Sequence, residues 1–400
     1  MNYPALPSGS SFNFQISEGS SKLVIYFSGT GRSDGQFDFW KTGNQVDTHR
    51  LFLNNGRNHW YQDGIPGLGE SVEETAVNIH LWARRIHAKE FYTVGQSMGA
   101  FGAILYGSKL GARVLAFGAE TIVNLKGSHS IKLMQDRPQI LYPDLHEVIA
   151  NARKPIFGFA GERHPVDLYC MSEANGLRNY YPRSLMSVGH GIPSHLRNRE
   201  RLVPLLQRFI SNHRPPPMRE DGEALMRHGF TEAFYNLHCQ LADRRHAEAA
   251  ETGRLALSLY DRADHAYYLT GSALLALKKE TQARPLLEKA LAMAPRFVDY
   301  RVAMARCLAM CGERDRAVSM LESVIADRPD SAVSFHELGR IHFARGNYHE
   351  ALQAARHAAD LKPTVAKFAD LRKRSERRLA ARSMPRRIYL SLVDAFLLRP

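Results

Sequence analysis

From about Phe12 to Asn212, short apolar runs alternate with stretches whose apolar positions recur every three to four residues. The runs Phe12–Ile16, Leu23–Phe27, Arg50–Leu53, Phe91–Val94, Val114–Phe117, Pro155–Phe159 and Ser184–Val188 predict strands. Val72–His87 and Leu202–Ser211 carry the amphipathic pattern of helices. Strands alternating with helices predict an α/β fold over residues 1–211: a mostly parallel sheet with helices on both faces.

That pattern breaks at Asn212-His213-Arg214-Pro215-Pro216-Pro217-Met218-Arg219. Three consecutive prolines leave no room for helix or ladder bonds, so residues 212–221 read as an interdomain linker. Beyond it the chain is rich in Ala, Leu, Arg and Glu, with almost no strand signal. Pro295, Pro329 and Pro363 stand 34 residues apart. In phase with them, Ala283, Ala317 and Ala351 form one column, Gly271, Ala305 and Gly339 another, and Ala290, Val324 and Ala358 a third. Small residues there let the two helices of a unit approach closely. A weaker unit around 233–261 has Ala249 and Ala256 in the small columns but Asp261 where proline is expected. Period and columns resemble the tetratricopeptide family, implying about four repeats over 222–365 in an all-α solenoid. Its groove would take a protein partner.

Composition narrows the class. The chain has 400 residues, 44% of them hydrophobic and 23% charged. No run of eighteen apolar residues occurs, and the N-terminus has neither a basic n-region nor an apolar h-region, so a cytoplasmic protein is expected. The four cysteines are scattered; Cys307 and Cys311 could share a helix face, but no further pair completes a zinc set, and no metal site is predicted. The formal net charge of +13 is concentrated in the tail, 366–400, where a basic segment precedes an apolar one. Such a tail either caps the last repeat or lies on an anionic inner-membrane surface. It lacks a groove-reading or aromatic-interleaved module, so no nucleic-acid partner is expected.

The chemistry centres on Gly95-Gln96-Ser97-Met98-Gly99, between the strand Phe91–Val94 and a helix-like stretch from Ala100 to Ser108. A serine in such a strand–turn–helix bend is lifted clear of the sheet at a helix N-terminus, where developing negative charge is favoured. A nucleophilic serine needs a base, an acid to orient it and donors for the oxyanion. His190, between Gly189 and Gly191 after the last strand, is the candidate base, ahead of His195. Asp167, after the strand Pro155–Phe159, is the candidate acid, with Glu162 and Glu120 as competitors. Ser28-Gly29-Thr30-Gly31 follows an early strand, and amides of Gly29 or Thr30 with that of Met98 would make a two-donor oxyanion hole.

Ser97, Asp167 and His190 in that chain order, with the elbow and the early glycine loop, resemble the α/β-hydrolase superfamily over the first 210 or so residues. The segment Trp60-Tyr61-Gln62-Asp63-Gly64-Ile65-Pro66-Gly67-Leu68-Gly69 is similar to a compact bacterial subgroup associated with polysaccharide and glycosylation functions. The resemblance implies acyl transfer through a serine ester, without cofactor: an esterase with water as acceptor, an acyltransferase with a sugar hydroxyl. Trp40, Trp60, Tyr61 and Arg32 would suit a carbohydrate ester at the mouth of the site. Gln96 departs from the commoner residues before the serine, and no insertion supplies a lid, which speaks against a lipase. A serine peptidase uses the same triad. A catalytically idle platform, with the repeats carrying the function, is the competing class.

Overall fold

Strands form where the chain offers apolar runs, and helices cover both their faces. In a computed structural model, residues 8–134 and 139–383 are described. Among them eight strands, β1 (Ser8–Gly9), β2 (Phe12–Gln15), β3 (Lys22–Phe27), β4 (His49–Leu53), β5 (Glu90–Gln96), β6 (Arg113–Phe117), β7 (Ile156–Gly161) and β8 (Tyr180–Leu185), form one sheet in the order β1-β2-β4-β3-β5-β6-β7-β8. From β4 through β8 neighbouring strands are parallel, while β2 runs antiparallel to β4 and β1 to β2. Leu23 to Phe27 are fully buried, as a central strand covered on both faces requires.

The last strand departs from expectation. It is Tyr180–Leu185, not Ser184–Val188; the chain turns at Ser187, whose φ is 62°. Pro182 is tolerated because β8 is the edge strand, where a missing N–H costs no ladder bond.

The helices between the strands and after them are α1 (Trp40–Gly43), α2 (Val72–Arg85), α3 (Met98–Leu110), α4 (Ser130–Leu133), α5 (His146–Ala150), α6 (Pro165–Glu173), α7 (Ile192–Arg197) and α8 (Leu202–Asn212). Ser71 starts α2 by accepting the Glu74 N–H at 3.1 Å, the usual service of a serine N-cap. In α8 the stripe Leu202, Leu205, Leu206 and Phe209 is buried against Tyr92 and Phe157 of the sheet.

Two compact units divide the chain, Met1–Ala266 and Tyr267–Pro400. The division falls downstream of 212–221. That Pro-rich segment lies along the sheet edge: Met186 N–H donates to Glu220 O at 2.7 Å and Gly222 N–H to Ser184 O at 2.8 Å. The first helical pair, α9 (Phe230–Ala242) and α10 (His246–Leu259), also belongs to the first unit, with Tyr235 stacked on Tyr169 of α6 at 4.4 Å.

The division lies within α11 (Asp264–Ala276), and α12 (Glu280–Met293), α13 (Val298–Met310), α14 (Arg314–Asp327), α15 (Ala332–Arg345), α16 (Tyr348–Leu361) and α17 (Ala366–Ser383) follow. Ala283, Ala317 and Ala351 are fully buried, and so are Ala290, Val324 and Ala358. A side chain added at Gly271 would meet Leu287, and one at Gly339 the Ala351 carbonyl, so the small columns sit where helices touch. Each repeat-closing proline pushes its predecessor out of the helical region. Ala294, Arg328 and Lys362 share φ near −142° and ψ of 74°, 78° and 79°. Phe368 and Leu371 of α17 are buried and pack against the last repeat, as a capping helix would. The remainder of the tail, 384–400, lies outside the described residues. Among those described, no helix is long and apolar enough to cross a membrane.

Candidate active site

Ser97 occupies the turn between β5 and α3 with φ 56° and ψ −125°, a backbone that L-residues rarely adopt. The flanking glycines explain how the bend closes: a Cβ on Gly95 would run into the Gly99 carbonyl, and one on Gly99 into the Phe27 carbonyl at the end of β3. Ser97 N–H donates to Phe117 O at 2.9 Å, tying the turn to β6. Its hydroxyl makes no hydrogen bond to a described residue and faces a cavity of about 270 Å³ shared with Gly29, Thr30, Arg32, His129 and His190.

His190 follows β8 and precedes α7, and Gln96 Nε2 donates to its carbonyl at 3.3 Å, so the residue that departs from the hydrolase pattern braces the histidine loop. His190 Nδ1 lies 2.7 Å from Asp167 Oδ2. Burial pulls the His190 pKa down, but the Asp167 charge and hydrogen bond outweigh it and leave it raised. Asp167 is fully buried in the first turn of α6. Burial alone would raise its pKa; the charges and hydrogen bonds of His164 and His190 hold it well below the carboxylate range.

His164 caps α6, its Nδ1 accepting the Asp167 N–H at 3.2 Å. The same nitrogen lies 2.9 Å from Asp167 Oδ1. One nitrogen cannot offer a lone pair to the amide and a proton to the carboxylate together. With the cap bond made, Oδ1 has no donor, in keeping with its being an unpaired buried oxygen.

The competing acids and base have other work. Glu162 accepts the Ser184 and Tyr260 hydroxyls and the Ala224 N–H. Glu120 accepts the N–H groups of His129 and Ser130 at 2.7 and 3.0 Å. His195 pairs with Glu220.

On the oxyanion side, Gly29 must be set aside as a donor: its N–H already donates to Asp38 Oδ2 at 2.8 Å. Thr30 N–H has no partner among the described residues, and Met98 N–H is the first of the unsatisfied donors that open α3. Asp38 is the residue that sequence reasoning missed. Its backbone N–H donates to Ser28 Oγ at 3.0 Å and its second oxygen pairs with Arg32 at 2.6 Å, so one carboxylate shapes the whole loop. Only its place ten residues after Ser28 could have flagged it.

Arg32 lines the cavity, but Trp60 and Tyr61 do not. Both are fully buried; the Tyr61 hydroxyl donates to Ser28 O at 2.8 Å and its ring packs on Phe27 and Tyr106. Tyr61 supports the loop from within the core, and Trp60 is likewise buried, because a large ring is worth more buried than at a polar mouth. Trp40 is partly exposed and packs on Phe37 and Phe52.

His129 is equally invisible in sequence, whereas His164 stands near the site there, shortly before the candidate acid Asp167. Their rings lie 5.0 and 4.7 Å from that of His190. Burial, then the neighbouring His190, lowers the His129 pKa.

In the second unit, Glu337 of α15 is buried between Arg306 of α13, at 2.7 Å, and Arg340, at 2.9 Å. A family model described as a tetratricopeptide repeat matches residues 274–338, and another of the same description matches 331–362. Residues 274–362 are tetratricopeptide repeats. Solved structures similar to the chain include YrrB, a TPR protein with an unusual peptide-binding site (20% identity, 45% of this chain and 88% of that one, TM-score 0.32). Another is TTC0263, a thermophilic TPR protein of Thermus thermophilus (20% identity, 47% and 96%, TM-score 0.34). A third is MamA from Desulfovibrio magneticus (19% identity, 38% and 91%, TM-score 0.31). No curated protein matches the chain.

Proposed function

We propose that the chain is a serine hydrolase working by acyl transfer, with tetratricopeptide repeats that engage a protein partner. The observation that carries the reading is the His190–Asp167 contact of 2.7 Å, beside a cavity that His190 shares with Ser97 at its strained turn. Ser97 Oγ attacks an acyl carbonyl, and His190 Nε2 takes its proton while Asp167 holds Nδ1–H. The Met98 and Thr30 amides receive the oxyanion. Collapse expels the leaving group, protonated by His190, and leaves an acyl ester on Ser97. Water then gives an esterase; a sugar hydroxyl gives an acyltransferase, the form suited to glycan assembly. A peptide bond as substrate would make the same triad a peptidase.

The second reading, an idle hydrolase-like platform whose repeats bind a partner, draws on the repeat matches alone. A fluorophosphonate probe separates the two. Stoichiometric labelling lost in Ser97→Ala supports the enzyme; a folded chain that never labels leaves only the binding role. Esters of short acids, acetylated sugars and peptides then rank the substrate classes.

A further inference from the structure

We propose that His129, His164 and His190 form a site for a divalent transition-metal ion, and that the bound ion silences Ser97 by occupying the imidazole nitrogen the serine needs. The first half stands on the geometry alone; the second rests on the hydrolase reading.

The three histidines come from three loops, after β6, β7 and β8, which leave neighbouring parallel strands at the same sheet edge. Ligand-capable nitrogens of all three lie within 4.8 Å of one another. Three imidazoles without a carboxylate in their midst match the donor preference of zinc, copper and nickel rather than of magnesium or calcium. Tetrahedral ligation at about 2.0–2.1 Å puts the nitrogens about 3.3 Å from one another, so they must close in by up to roughly 1.5 Å, within reach of side-chain rotation by the exposed His129.

Asp167 holds His190 Nδ1–H, which leaves the His190 Nε2 lone pair free. His164 Nδ1 now accepts the α6 cap bond, so ligation through its Nε2 requires the proton to sit on Nδ1 instead and gives up that bond. A metal-bound imidazole characteristically donates its other N–H to a carboxylate. Asp167 is placed to receive two such bonds. Oδ2 takes His190 now, and the unpaired, fully buried Oδ1 lies 2.9 Å from His164 Nδ1, ready for the tautomer that ligation through Nε2 enforces. The orphan oxygen is therefore a vacant acceptor waiting behind the ligand. Glu120 anchors the main chain of the third histidine, accepting the His129 backbone N–H at 2.7 Å.

His190 Nε2 is also the atom that would take the serine proton, since Nδ1 is engaged. One lone pair cannot serve both a metal ion and a proton. Metal occupancy and acyl transfer thus exclude each other, and the ion acts as a reversible inhibitor.

The test uses the full-length chain, stripped with EDTA. Zinc affinity is measured by competition with a chromophoric chelator, cobalt ligation by its visible absorption, and serine reactivity by fluorophosphonate labelling rate. Wild type is expected to bind one ion per chain. His129→Asn and His164→Asn are each expected to bind it more weakly by about tenfold or more. Asparagine at 164 keeps an N-cap for α6, so that variant should fold. Zinc should suppress wild-type labelling, EDTA should restore it, and His129→Asn should need proportionately more zinc. Equal zinc affinity in wild type and both variants overturns the site. One ion bound with undiminished or faster labelling overturns the silencing. A metal-free, folded chain that never labels removes the hydrolase reading and the silencing with it, while the chelator titration still judges the metal site.

Discussion

His190 Nδ1 lies 2.7 Å from Asp167 Oδ2, and the aspartate is wholly buried while the histidine lines the cavity. The contact fixes the imidazole tautomer and turns Nε2 toward solvent. In Asp167→Asn the amide can present its NH2 to Nδ1 and favour the opposite tautomer, with the shape of the site kept. Labelling of Ser97 is expected to fall by about 10³–10⁴-fold with unchanged circular dichroism. A folded variant labelling at the wild-type rate would show that the pair is structural.

Asp38 shapes the oxyanion loop through Gly29, Ser28 and Arg32. Asp38→Ala should loosen the Thr30 amide and slow labelling by about 10²-fold, the scale of one lost oxyanion donor. Asp38→Asn keeps an acceptor for the Gly29 N–H and loses only the charge, so its rate should lie between. Identical rates for the two variants would place the effect in the Arg32 ion pair alone.

Gly99 has a different role. A methyl group there meets the Phe27 carbonyl and the Ser28 backbone, atoms of a central strand that have nowhere to go. Gly99→Ala is expected to destabilise the first unit by about 3 kcal/mol or more, read as lost soluble yield or a lowered unfolding midpoint. An alanine variant with wild-type stability would mean that α3 can shift away from the sheet.

The repeats should weaken in acid. Burial lowers the His336 pKa to about 4, and its ring packs on Phe368 at 4.9 Å. Burial pushes the Glu337 pKa up, but Arg306 and Arg340 more than offset that and leave it lowered. Both folded-state values lie below their unfolded ones, so this stability is present at neutral pH. The His336 share fades as pH falls from about 6.5 toward 4, and the Glu337 share follows below about 4.5. Hydrogen exchange of α15 amides should therefore quicken on acidification beyond the intrinsic trend, and less so in His336→Phe. Equal acceleration in the two chains would remove His336 from the account.

Much of this is legible in the sequence because it is ordered along the chain. The apolar runs mark every described strand but β1 and β8, the latter overlapped by its predicted run only at Ser184 and Leu185, and the proline period marks the repeats. Ser97, Asp167 and His190 can be proposed because each lies in the segment that leaves a strand, Ser97 directly and the other two a few residues on, and all three strands end at one edge. Trp60 and Tyr61 are easily misplaced, because an aromatic beside a motif reads the same whether it faces a cavity or a core; only the Tyr61 bond to Ser28 distinguishes them. His164 lies beside the acid in sequence, but His129 carries no spacing signal, since it meets the other two only through the closing of three loops. Gly29 reads as a donor because no sequence rule says that a carboxylate nine residues later will claim its amide.

The residue before each repeat-closing proline has nearly the same dihedrals, and Tyr260, which precedes Asp261, comes close with φ −151° and ψ 100°. Joints of one shape make the helical pairs interchangeable at their ends. A segment of 34 residues can then be excised or duplicated in frame with its cut ends already matched in direction. The number of units, and with it the reach of the surface they display, becomes a quantity that unequal recombination can change without redesigning any helix.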